Sequence, residues 1–134
     1  MTEELRRVLS EIQDSLCLLT FSMKKHIDRG LEINIDDMDD LGQSLILLAD
    51  RFRTPLKELK HTVLSLTLME AGVSIRGRVR KMRKRGVLKD DIVFFEEVYS
   101  LVKLIEDSIA SGEYYEELVK IYRSKLNEDL HTRI

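Results

Sequence analysis

Apolar residues recur at steps of three and four almost from end to end of this 134-residue chain, and one proline and six glycines are all that interrupt them. That spacing places side chains on one face of a helix, whereas a half-buried strand needs strict alternation. With so few breakers the chain is bound to long helices, and no alternating stretch of useful length competes. The length suits a single domain, residues 1–134. The expected fold is all-α, a single bundle of five or six helices.

The pattern divides the chain as follows. Leu5, Leu9, Ile12, Leu16, Leu19, Met23 and Ile27 predict a first helix from about Glu3 to Arg29, with Thr2 as N-cap and Gly30 as its stop. A second, about Asp37 to Arg53, carries Met38, Leu41, Leu45, Leu48 and Phe52, with one of the preceding aspartates as its cap. Thr54-Pro55 restarts the chain, since proline suits the first helical position, where the N–H has no acceptor. The third helix then runs to about Ala71 with Leu56, Leu59, Val63, Leu66 and Met69 inward, and Gly72 ends it. Ser74 caps a short fourth helix to Arg85, stopped by Gly86. A fifth, about Asp90 to Ser111, carries the seam Phe95, Val98, Val102, Ile105 and Ile109, and a sixth spans about Glu113 to Leu130.

Most site chemistries lack their residues. The lone Cys17, flanked by Leu16 and Leu18, reads as a buried, inert thiol. His26, His61 and His131 fall on different elements without a partner at ligand spacing, so no metal is expected. The run Asp36-Asp37-Met38-Asp39-Asp40 lacks the glycine and glutamate of a calcium loop and reads as the acidic first turn of a helix. Glu96, Glu97, Glu106 and Asp107 are similar to the magnesium-binding acids of helical nucleotide pyrophosphohydrolases. The adjacent Glu96 and Glu97 diverge by about 100° around a helix, however, which does not make a shared ion site. No phosphate-cradling glycine loop or nucleophile motif is present, so the chain reads as no enzyme, with no cofactor.

Charge is where the sequence becomes specific. The total is nearly flat, 22 Lys and Arg against 24 Asp and Glu. Seven of those cations fall between residues 76 and 85: Arg76, Arg78, Arg80, Lys81, Arg83, Lys84 and Arg85, with no acid among them. The segment is therefore +7 and the remainder −9. Ile75, Val79 and Met82 supply a narrow apolar stripe to dock it. Like charges three or four apart repel, so such a helix needs an anion. DNA or RNA phosphates answer that need, and the five arginines suit bidentate contacts. The protein's own acids, the Asp36–Asp40 end of the second helix above all, answer it equally.

Two resemblances bear on this segment. Leu68-Met69-Glu70-Ala71-Gly72-Val73-Ser74 resembles the turn of a DNA-binding helix-turn-helix, which implies that the basic segment is a recognition helix. Leu68 stands where a small residue is usual, and Val79 lies seven rather than six after the glycine. Over about Leu56 to Leu126 the order of a helix, a short basic helix, a long helix and a last helix resembles the HEPN superfamily. That resemblance implies an all-α, often dimeric domain of toxin–antitoxin, defence or RNA-handling systems. The family's catalytic Arg and His are replaced by Glu106-Asp107-Ser108-Ile109-Ala110-Ser111-Gly112, so no nuclease residue carries over.

The expected function is nonenzymatic nucleic-acid binding by residues 76–85 on phosphate backbone. The alternative is a helical protein-interaction module (adaptor, antitoxin or defence component) whose basic helix docks on an acidic partner. A homodimer is expected from the fifth-helix seam and from Cys17, Leu18 and Phe21, which widen the first helix's apolar face. The acidic start Met1-Thr2-Glu3-Glu4 is unlike a signal peptide, and no membrane-spanning run occurs, which points to the cytoplasm. Scarce Asn and Gln (Gln13, Asn34, Gln43, Asn127) beside many charges give a thermophile-like composition and suggest a prokaryotic source.

Overall fold

The computed structural model describes residues 3–53 and 59–111. They form an all-α four-helix bundle with no strand among them: α1 Glu3–Ile27, α2 Ile35–Arg53, α3 Leu59–Arg85 and α4 Lys89–Ser111. None of the described helices is long and apolar enough to cross a membrane. A single 3₁₀ turn, Gly30–Glu32, links α1 to α2, and Gly30 takes the positive φ (59°) expected where α1 stops. Asn34, rather than an aspartate, caps α2: its Oδ1 accepts from the Asp37 N–H at 3.0 Å. The helix consequently starts at Ile35, two residues earlier than its acidic run suggests.

The helices run up and down. Ser65 Oγ donates to the Ala49 carbonyl while Gly72 lies against Gly42, so α2 and α3 are antiparallel. Thr20 meets Glu106 and Lys24 lies over Tyr99, which makes α1 and α4 antiparallel as well. Between the two pairs lies one core, built on Ile12, Leu16, Met23, Met38, Leu45, Leu64, Leu68, Ile75, Met82, Phe95 and Ile105. The expected inward residues of α2 are all buried, as are Phe95, Val98, Val102 and Ile105 of α4.

The structure corrects the helix count at one place. Residues expected to form a third and a fourth helix form one continuous helix, α3, so the described residues hold four helices where five or six were expected. The sixth expected helix, 113–130, lies outside the described residues, as do Thr2, Thr54, Pro55, Leu56 and His131 and the side chains of Leu5, Leu59 and His61. Gly72 does not end a helix because its role is close approach. A Cβ there would stand 2.5 Å from the Gly42 carbonyl oxygen and 2.7 Å from Ile46 Cγ1. The two backbones meet where neither residue has a side chain, and Ala49 facing Ser65 repeats the small pairing seven residues along each helix. The helix-turn-helix turn is therefore absent, since Ala71-Gly72-Val73-Ser74 is helical throughout. The helix pair on which the HEPN resemblance rests is likewise a single element.

The inward face of α3 also differs. Leu64, Leu68, Ala71, Ile75, Val79 and Met82 form its buried stripe, whereas Leu66, expected inward, is 46% exposed. Cys17, expected buried, is exposed, because the adjacent Leu16 takes the core position and the next residue falls about 100° away.

Candidate functional site

The last ten residues of α3 carry all seven basic side chains, and the structure sorts them into two groups. Arg76 and Arg83 sit one above the other at a seven-residue step and face the start of α2. Arg76 Nε donates to Asp39 Oδ1 at 3.2 Å, and Arg83 Nη2 lies 2.9 Å from Asp36 Oδ1 and 3.8 Å from Asp39 Oδ2. Arg78 and Arg85, also seven apart, turn the other way, towards α4. Arg85 donates through both Nη atoms to the two oxygens of Asp91, at 2.9 and 2.8 Å, and Arg78 Nη1 lies 3.4 Å from Asp91 Oδ1.

Asp91 is the acid on which the second pair converges. Its side chain is fully buried and accepts from the Leu88 N–H at 2.9 Å. Leu88 immediately precedes α4 and Asp91 is the third residue of that helix, so this bond satisfies an N–H that a helix start leaves without an intrahelical acceptor. The hydrogen bonds from Arg85, helped by the Leu88 N–H and the charges of Arg85 and Arg78, outweigh burial and lower the Asp91 carboxyl to about 2. The corner is closed by Gly86 (φ 87°), whose N–H donates to the Met82 carbonyl at 2.7 Å. The Arg78 guanidinium also lies 4.4 Å from the centre of the Phe94 ring, a distance at which cation and ring attract.

Arg80, Lys81 and Lys84 make up the second group. All three are exposed, and among the described residues none has a carboxylate within ion-pair distance. At about 100° per residue they span roughly 100° of the helix circumference, and Gly77 falls between them on the same face. A Cβ on Gly77 would meet nothing within 4 Å. The helix backbone itself is therefore open beside the three cations.

Thus the segment 76–85 is a clamp on two sides and a basic surface on the third. Of the compensating acids, Asp36 and Asp39 were legible as part of the acidic run. Asp91 was not, although its place three residues after Leu88 at a helix start is a recognisable capping position. Elsewhere, Glu96 and Glu97 are exposed, while Glu106 is buried and bound by Thr20 (3.1 Å) and Lys103 (3.0 Å). His26 stands 3.8 Å from Asp37. No group of three or more His, Cys, Asp or Glu among the described residues is placed to hold a metal ion. Phe95, Val98, Val102 and Ile105 of the α4 seam are buried in the protein's own core, and Ile109 is partly buried against it. No family model, curated protein or solved structure matches the chain.

Proposed function

We propose that the protein is a nonenzymatic nucleic-acid-binding protein that grips phosphate backbone with the outer face of α3, through Arg80, Lys81 and Lys84. The observation that carries this reading is the division of the seven cations. Four are committed to Asp36, Asp39 and Asp91 and tie the helix to α2 and α4. The remaining three project together from that fixed support, with no described carboxylate beside them. Their mutual repulsion at steps of three and four is relieved when phosphates arrive, and the counterions released add a salt-dependent driving force.

The division also predicts the strength of the effect. Seven phosphate contacts on a duplex would give a log–log salt slope of about −6, whereas three give about −3. Anisotropy titrations of labelled single- and double-stranded DNA and RNA across a salt series should return the shallower slope. Arg80→Glu combined with Lys84→Glu should abolish binding without lowering the melting temperature. Failure to bind any of these at about 50 mM salt overturns the reading. A second reading places an acidic protein segment on the same face. The narrowness of the patch favours it, because three cations within about 100° match one acidic helix stripe. Binding to polyglutamate but to no nucleic acid would select it.

A further inference from the structure

The outer edge of α1 carries a seam of its own. Asp14, Leu18, Phe21 and Lys25 follow one another at steps of four, three and four, all exposed, on the side of the helix away from buried Ile12, Leu16 and Met23. Leu18 is 74% exposed and Phe21 73%, so two large apolar side chains stand together in water at the seam's centre. Isolated exposed apolar residues are ordinary, but an adjacent pair of this size flanked by charge marks a docking surface.

The flanking charge is sorted. Within about two turns before the pair stand only acids, Glu11 and Asp14. Within about two turns after it stand Lys24, Lys25 and Arg29, with Asp28 the one exception, held by Lys24 at 3.8 Å. Glu11, Asp14, Lys25 and Arg29 are exposed, and none has an opposite charge within ion-pair distance among the described residues.

We infer that this seam is the contact between two copies of the chain, α1 packed antiparallel on α1 about a two-fold axis level with the midpoint of Leu18 and Phe21. Such an axis makes residue i meet j and j meet i. Leu18 of each copy then meets Phe21 of the other, and Asp14 meets Lys25, since these two lie only about 20° apart around the helix. One turn further out Glu11 meets Arg29, which follows it by eighteen residues, about five full turns. Asp28 comes level with Glu11 of the other copy but lies about 100° round the helix from it, so the two acids do not face. A parallel pair would instead set Asp14 on Asp14 and Lys25 on Lys25. A foreign partner of one charge would call for one sign along the whole face, whereas acids before and bases after an apolar centre are what a two-fold axis returns onto itself. The seam shares no residue with the basic surface of α3, so the inference stands apart from the reading of that surface.

Sedimentation equilibrium of the full chain, without nucleic acid, should show a monomer–dimer exchange with a midpoint on the order of 10 μM, as suits a contact of one helix pair. Leu18→Glu with Phe21→Glu should leave a monomer of unchanged helix content. Asp14→Lys sets lysine against Lys25, and Lys25→Asp sets aspartate against Asp14, so either alone should weaken the dimer at least about tenfold. An equimolar mixture of these two variants should form a heterodimer about as tight as the unaltered dimer, because unlike charges then meet at both positions; that recovery also shows both variants folded. A monomer up to about 300 μM in the unaltered protein overturns the inference. So does a dimer that survives the Leu18 and Phe21 changes, or one that the single charge reversals leave equally tight, which would place the contact elsewhere or in parallel.

Discussion

The two halves of α3 are held in the bundle by different physics. Up to Ile75 the helix presents Leu64, Leu68, Ala71 and Ile75 to the core and lets Gly72 touch Gly42. Its attachment there is burial and close backbone contact. Beyond Ile75 only Val79 and Met82 are buried, and attachment passes to Arg76, Arg78, Arg83 and Arg85 on three aspartates. A half-helix anchored by charge can carry further charge outward at low cost, because its stripe need only be two residues wide. The contrast shows how one helix is held by packing along one half and by ion pairs along the other.

Asp91 is the sharpest point at which to break the second half. Asp91→Ala leaves Arg85 and Arg78 without their buried acceptor and removes the bond to Leu88. We expect a loss of about 3 kcal/mol in urea or thermal unfolding. The native stability carries a matching pH signature. The Asp91 carboxyl is lowered from the ordinary 3.8 to about 2 in the folded state, so its contribution is present above about pH 4. It is lost as pH falls from there through about 2, an effect on the order of 2 kcal/mol. Unfolding measured between pH 6 and pH 2 should show that loss in the unaltered protein, with the Asp91→Ala variant flatter over the same window.

The first half breaks at Gly72. A methyl group there meets the Gly42 carbonyl at 2.5 Å and the Ile46 backbone nitrogen at 3.1 Å, and backbone cannot swing aside as a side chain can. Gly72→Ala should cost about 2 kcal/mol in spite of alanine's better helix propensity. Gly42→Ala should cost less, since two of its three close neighbours, Arg76 Cγ and Ile75 Cγ2 at 2.9 and 3.0 Å, belong to side chains. Neither change touches Arg80, Lys81 or Lys84, so nucleic-acid affinity of the folded fraction should stay constant.

The same contrast marks where the sequence is legible and where it is not. Helices α1, α2 and α4 declare themselves because large apolar residues such as Leu16, Leu45 and Phe95 hold the inward positions. In α3 those positions pass through Ala71 and the neighbouring Gly72, small residues whose meaning depends on what faces them. A glycine after an apolar run signals equally a helix stop and a close crossing, and only Gly42 on the other helix decides between them. The stripe Leu64, Leu68, Ala71, Ile75, Val79, Met82 does keep one phase across Gly72, which argues for continuity. At the site, the basic run was plain in one dimension and its sorting was not. Which arginine meets which aspartate depends on the antiparallel registry of α2 with α3 and on the tight corner before α4, neither of which the charges alone specify. Cys17 shows the same limit from the other side: an apolar neighbourhood along the chain did not mean an apolar environment in space.

Gly77 lies five residues beyond Gly72 in the same helix and tests the contrast with the smallest effect. It sits in a helix interior with nothing within 4 Å of a Cβ, so neither turn nor close packing requires a glycine there. Gly77→Ala should raise stability by about 0.5–1 kcal/mol, by narrowing the unfolded ensemble and improving helix propensity. Opposite signs at Gly72 and Gly77 under one substitution would confirm that the first half is limited by space and the second is not. Because Gly77 lies between Arg80, Lys81 and Lys84, the variant also reads the mode of binding. Long side chains reaching a phosphate backbone are indifferent to one methyl group beneath them, so affinity and salt slope should remain those of the unaltered protein. A loss of affinity in the more stable variant would mean that the partner approaches the α3 backbone itself.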